Sequence, residues 1–207
     1  ISTNKIKGIF PILYTFFNKN NSIDYKLMEQ QISLIFKKKC NGIAALGLAT
    51  EVNKLTLKEK TKIIELITTT IPSAFPKAIT IQAKKYEDYC KLINVSKSNN
   101  VDWLIRQPMI KKNTTDQDCY NFFKRILPLT RGTLTGIQNA KEYIGVGLSS
   151  NQILSLYKKF NNFRAIKGEA SSIHMQKEII NYPKDLIVFN GRGGQEIIDN
   201  FKIGCKG

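Results

Sequence analysis

Short β-branched runs alternate with longer amphipathic stretches along the whole chain, and this alternation constrains the fold more than any other feature. The expected strands are Gly8–Leu13, Gly42–Gly47, Ala78–Gln82, Asp102–Gln107, Leu134–Asn139, Arg164–Gly168 and Leu186–Asn190. Nearly continuous apolar runs such as Ile43-Ala44-Ala45-Leu46 suit strands covered on both faces, the condition of a parallel sheet. Helical periodicity fills the intervals over Tyr25–Lys39, Leu57–Thr70, Tyr86–Asn99, Asp116–Thr130, Ser149–Phe160 and Ile173–Asn181, with Gln195–Ile203 after the last strand. Helix starts carry caps. Thr56 with Glu59 reads as a capping box, and Ser149 or Ser150 follows Leu148 in the same way.

Strand–helix alternation every roughly 25 to 30 residues implies βαβ units and a parallel sheet. A doubly wound sheet usually carries a Gly-rich first βα turn, whereas Tyr14-Thr15-Phe16-Phe17-Asn18 has no glycine. The expected fold is therefore of the α/β class: a (β/α)₈ TIM barrel, one domain over residues 1–207, with seven β/α units visible. The chain stops where strand eight should begin and starts without Met, so it is expected to be incomplete at both ends.

A chain of 207 residues, 42% hydrophobic, can bury one sizeable core. The apolar run Gly8–Phe17 is too short to span a bilayer, contains Pro11 and lacks a small-residue cleavage site. It reads as a buried strand, no membrane partner is expected, and a cytoplasmic location is. The scattered Cys40, Cys90, Cys119 and Cys205 form no CxxC pair, and His174 is the only histidine, so neither a metal site nor a His-dependent triad is expected. The net charge of +16 is the one argument for a nucleic-acid partner. Its lysines are dispersed over Lys37–Lys39, Lys58–Lys62, Lys84–Lys85, Lys111–Lys112 and Lys158–Lys159 with no interleaved aromatic stripe, so no nucleic-acid partner is expected.

In a barrel, chemistry belongs at the C-terminal ends of the strands. The segments there are Gly47–Glu51, Gln138–Ala140, Lys167–Glu169 and Asn190–Gly194. Lys167 closes a strand, so by the period of two it shares a face with Ala165. If Ile166 packs against helices, Lys167 points into the barrel above a small residue, where desolvation favours the free amine that attacks carbonyls. On spacing alone, a lysine reaching solvent from a strand end is the plainer reading in so lysine-rich a chain. The glycines around Arg192 suit either an anion-binding turn or a tight helix cap.

Five segments in order resemble one known family. Gly8–Phe17 followed by Ser22-Ile23-Asp24 is similar to its opening strand and turn. Gly47-Leu48-Ala49-Thr50-Glu51-Val52-Asn53-Lys54-Leu55-Thr56 resembles its GTTGE-x-x-x-L-(T/S) segment. Ile137-Gln138-Asn139, with Gly147-Leu148-Ser149 after it, falls at its tyrosine-Asn-x-Pro motif. Ile166-Lys167 is similar to its Schiff-base lysine segment, and Phe189-Asn190-Gly191 to its glycine turn. The chain thus resembles the dihydrodipicolinate synthase and N-acetylneuraminate lyase superfamily.

The resemblance implies a class I aldolase or lyase acting on pyruvate or another 2-oxo acid. Lys167 would form the Schiff base, so no cofactor is needed. Leu48 and Ala49 would offer backbone N–H groups to the substrate carboxylate, with Thr50, Glu51, Asn139, Gly191 and Arg192 also lining the substrate site. A homodimer or homotetramer is implied as well.

The chain departs from the family where its proton relay should be, because Gln138 stands in place of the tyrosine and glutamine is no general base. Met109 and Ile110 follow Pro108 where aromatics are expected, and Tyr143 falls where the synthases have a carboxylate-binding arginine. Tyr143, Glu51 or Glu169 could take over the proton role, with Gln138 and Asn139 orienting the substrate. The alternative is a non-catalytic, ligand-binding member that kept the scaffold and lost the relay.

Overall fold

The computed structural model describes residues 5–130 and 132–207. They fall into two compact units, Gly8–Leu104 and Ile105–Gly207, the second joined by the N-terminal residues up to Lys7.

The first unit begins with an extended segment that makes one isolated parallel bridge, Ile12 to Ala44. Leu13 N donates to Ala44 O at 2.8 Å and Ala44 N to Pro11 O at 2.9 Å. The strand expected at Gly8–Leu13 is thus reduced to a bridge. Pro11 has no N–H, and Gly8 sits at φ +85°, outside extended geometry. Then follow α1 (Tyr25–Lys37), β1 (Ile43–Ala45), α2 (Leu57–Thr70), β2 (Lys77–Ile81), α3 (Tyr86–Ser98) and β3 (Trp103–Arg106), the last crossing into the second unit. β1 and β2 pair in parallel, Ala44 opposite Ala78, and every residue of both strands is buried. The apolar run from Ile43 was legible as a doubly covered strand for this reason. α1 packs on α2 and α2 on α3. The inward stripe of α2 is Ile63, Ile64 and Ile67, each contributing about 1.5–3 kcal/mol by burial. Thr56 and Glu59 form the expected capping box.

In the second unit α4 (Asp116–Ile126) leads into β4 (Leu134–Asn139) and the four-residue α5 (Lys141–Ile144). After it come α6 (Ser150–Lys159), β5 (Phe163–Gly168), α7 (Ser172–Ile179), β6 (Ile187–Asn190) and α8 (Ile197–Lys202). The helix expected over Asp116–Thr130 ends at Ile126, and Leu127–Thr130 tightens into a 3₁₀ turn. Pro128, without an N–H, cannot extend the α-helical ladder there. Ser149 caps α6 with Gln152 in a capping box. β4, β5 and β6 are parallel neighbours in chain order. Beyond β6, Lys206 N donates to Val188 O at 2.7 Å and Asn190 N to Gly207 O at 3.0 Å. The residues expected to approach a further strand therefore already pair along β6.

Candidate active site

The register of the second unit sets Gln138 of β4 opposite Lys167 of β5, and Lys167 opposite Phe189 of β6. One step further, Asn139, Gly168 and Asn190 form the next row. Three strands thus end level.

Lys167 is largely enclosed, its side chain 13% exposed, and fully buried Ala165 lies two residues before it. The solvent-reaching alternative does not describe this lysine. Its ammonium donates to Glu169 Oε1, and the Glu169 side chain is only 6% exposed. Gln138 Nε2 donates to the same oxygen at 2.8 Å. Gln138 is 1% exposed, and its Oε1 is buried with no hydrogen-bond partner among the described residues. A buried carboxylate gripped by a cation and an amide is the arrangement that makes burial of charge tolerable.

Two glycines make this cluster possible. A Cβ on Gly191 would lie 2.7 Å from Lys167 Cε, 3.0 Å from its Nζ and 3.0 Å from Glu169 Cγ. A Cβ on Gly168 would lie 2.6 Å from the Met175 methyl, so the glycine lets α7 close over the end of β5. Gly191 N donates to Gly168 O at 2.7 Å and ties the two loops together.

Asn139 and Arg192, also expected in the site, are held by partners of their own. Asn139 clasps the loop after β4, with Leu148 N donating to its Oδ1 at 2.8 Å and its Nδ2 donating to Leu148 O at 3.1 Å. Asp116 reinforces the clasp by accepting from Gly147 N at 3.0 Å and pairing with Lys141 at 2.5 Å. These two hydrogen bonds, the Lys141 one foremost, hold its carboxyl below the usual range. Tyr143 lies on α5 and is 55% exposed. Arg192 Nη1 lies 3.4 Å from Glu196, whose carboxylate also accepts from Ser172 N at 2.6 Å.

A cavity of about 310 Å³ opens beside the cluster, bounded by Asn139, Lys141, Gly147–Ser149, Glu169, Ala170 and residues of α7. His174 and Glu178 of α7 also line it. His174 Nε2 approaches Glu178 Oε1 at 3.5 Å, and burial raises the Glu178 carboxyl above its ordinary range. The His174 side chain is 58% exposed, and this partner lies one helical turn away. Among the described residues no group of three His, Cys, Asp or Glu is placed to hold a metal ion.

In the first unit, Leu48–Thr50 forms a 3₁₀ turn after Gly47. Thr50 N donates to Gly47 O at 3.1 Å and Glu51 N to Leu48 O at 2.9 Å, so the amides of Leu48 and Ala49 precede the first bond of the turn. Thr50 is buried and donates to Leu13 O at 2.6 Å, while Thr15 donates to Thr50 O at 2.7 Å. Glu51 adopts φ 55° and its carboxylate pairs with Lys54.

The chain matches the dihydrodipicolinate synthetase family over residues 5–207. A 4-hydroxy-tetrahydrodipicolinate synthase of Karelsulcia muelleri is 26% identical over 188 residues, which cover 90% of this chain and 63% of that relative. The chain therefore spans less than two thirds of that relative's length. A Ruminococcus gnavus sialic acid aldolase structure, a catalytic lysine mutant, superimposes with a TM-score of 0.89 at 18% identity over all of this chain and 67% of its own. An E. coli K12 prophage protein of the dihydrodipicolinic acid synthase family, solved with pyruvate, gives a TM-score of 0.89 at 16% identity, covering 98% of this chain and 68% of its own. At these identities the structures establish the fold alone, and it is the expected α/β barrel fold.

Proposed function

The chain belongs to the dihydrodipicolinate synthetase family, and on that premise we propose an aldolase or lyase that forms a Schiff base on Lys167 with pyruvate or another 2-oxo acid. The observation that carries this reading is the enclosure of Lys167 at the C-terminal end of β5, against a buried carboxylate and beneath a glycine that leaves room for its amine. The pyruvate bound by the E. coli relative supports the choice of substrate class.

Once deprotonated, the amine attacks the C2 carbonyl, water leaves, and the iminium draws electrons from C3 to give an enamine. Gln138 Oε1, buried without a partner among the described residues, is suited to accept a hydrogen bond from the hydroxyl that forms at C2. In the other unit, the Leu48 and Ala49 amides at the open end of their turn suit a carboxylate. No cofactor is required for this chemistry. Assembly as a homodimer or homotetramer and a cytoplasmic location go with the reading. Among the described residues no helix is long and apolar enough to cross a membrane.

The second reading is a ligand-binding member without turnover. It is favoured by Gln138 standing where the family places its relay tyrosine, since an amide cannot carry protons. Mass spectrometry after borohydride reduction with pyruvate separates the two. The expected result is one reduced pyruvyl adduct that is absent from Lys167→Ala. No adduct with pyruvate or a panel of other 2-oxo acids rejects the lyase reading.

A further inference from the structure

We infer that Glu169 is the proton shuttle of this site, replacing a tyrosine relay, and that Gln138 is its positioning residue; the inference rests on the Schiff-base reading of Lys167. Glu169 is the titratable group in direct contact with the reacting nitrogen. It is 5% exposed, and it also lines the cavity beside the cluster. A carboxylate that touches the amine on one side and borders the cavity on the other can pass protons between the lysine and a ligand. Gln138 Nε2 and the lysine both donate to Oε1, so the second carboxylate oxygen takes neither donor. That oxygen is the one suited to exchange protons with a ligand.

The competing candidates are committed elsewhere. Tyr143 is more than half exposed on α5, Glu51 pairs with Lys54, and His174 pairs with Glu178. Gln138 itself has no titratable proton in the working range.

The proton balance closes on Glu169 alone. Ammonium and ketone become iminium and one water, so the nitrogen loses two protons and the oxygen gains both. Glu169 takes the first proton from the ammonium. As the amine attacks C2, the carboxylic acid returns that proton to the carbonyl oxygen, giving a carbinolamine. It then takes the second proton from nitrogen and delivers it to the departing hydroxyl, which leaves as water. The carboxylate, regenerated, removes a proton from C3; the C–H electron pair forms the enamine double bond and the iminium nitrogen is neutralised. Reversal of this last step returns the proton to C3.

The deciding experiment compares wild type with Glu169→Gln on two readouts, using pyruvate as the probe. One is the borohydride adduct after prolonged incubation; the other is exchange of the pyruvate C3 hydrogens for deuterium in D₂O, followed by NMR. Glutamine keeps a hydrogen-bond acceptor for Lys167 but cannot carry a proton. The adduct is therefore expected to form more slowly but to reach the wild-type level at the end-point, while exchange falls by about 10²–10⁴-fold. Glu169→Asp, which retains the carboxylate, is expected to exchange faster than Glu169→Gln and keeps the test open should the glutamine variant fail to fold. Exchange at the wild-type rate in Glu169→Gln, or no exchange in a folded Glu169→Asp, overturns the shuttle. A shuttle sets only the rate of adduct formation, so absence of the adduct at the end-point of prolonged incubation in folded Glu169→Gln assigns Glu169 to holding Lys167 and also overturns it. No adduct in wild type rejects the Schiff-base reading, and the shuttle with it.

Discussion

Gly191 stands directly against Lys167: a Cβ at position 191 would come within 2.7 Å of the lysine Cε and 3.0 Å of its Nζ. The glycine backbone is also tied to β5, Gly191 N donating to Gly168 O at 2.7 Å, so the loop cannot retreat without losing that bond. Gly191→Ala should therefore displace the lysine rather than the backbone. Because the clash falls on the far end of a flexible side chain, the stability loss should lie at the low end of the about 1–3 kcal/mol typical of overpacking. The chemical cost should be larger, about 100-fold in the rate of adduct formation, since a misplacement of that order disrupts attack geometry. Timed borohydride quenching beside thermal melts checks both. Trapping at the wild-type rate would show that the lysine does not need this space.

Lys60 offers a pH test in the first unit. It is buried on α2, and its ammonium donates to Gln82 O at 3.0 Å and Gln82 Oε1 at 2.9 Å. Burial first, and the positive charge of Lys84 second, push it down to about 8 from an ordinary 10.5. Between those values the unfolded chain holds a proton that the folded chain has released, so its contribution to stability rises with pH. That contribution is complete above 10.5 and lost as pH falls through about 8. Its size is about 1–3 kcal/mol. Urea titrations across this window should show the gain in wild type and not in Lys60→Met. Parallel curves for the two proteins would mean that Lys60 titrates in the folded state as it does in the unfolded one.

The strands and helices were legible because their signals are local. Ile43-Ala44-Ala45 is apolar at every position and buried at every position, and Thr56 with Glu59 closes the capping box its spacing implied. The first strand is shorter than its apolar run implies, since such a run reports burial but not the hydrogen bonds that Pro11 withholds. Lys167 could be placed on its face from the period of two. Its partner could not, because Glu169 lies past the end of β5, where alternation no longer governs direction. The link from Gln138 to Glu169 spans 31 residues and depends on the β4–β5 register, which no single segment encodes. Asn139 was singled out as a substrate residue, yet both ends of its amide are engaged by Leu148.

Thr50 lies in the turn after β1, where the buried hydroxyl donates to Leu13 O at 2.6 Å. Thr50→Val keeps the shape and removes that donor, leaving a buried carbonyl short of a partner. A loss of about 1–2 kcal/mol is expected by chemical denaturation, with Thr50→Ser recovering most of it. The bond from Thr15 goes to the Thr50 backbone and survives both changes, so the measurement isolates one hydroxyl. A neutral Thr50→Val would show that the turn holds without it.

Asp116 couples α4 to the loop after β4 through two different bonds, one to the Lys141 ammonium and one to Gly147 N. Asp116→Asn keeps an oxygen for Gly147 but can turn an amide N–H₂ toward Lys141, setting donor against donor. The side chain is 43% exposed, so solvent screens the ion pair and the expected cost is about 0.5–1 kcal/mol. Because Lys141 and Gly147 hold the carboxyl below its ordinary 3.8, the wild-type advantage is complete above that value and lost as pH falls through the lowered one. Wild type and variant should therefore differ in urea at neutral pH and converge well below 3.8. A difference that persists into strong acid would place the effect in the fit of the amide rather than in the charge. The clasp would then owe its strength to the Asn139–Leu148 pair, which does not titrate.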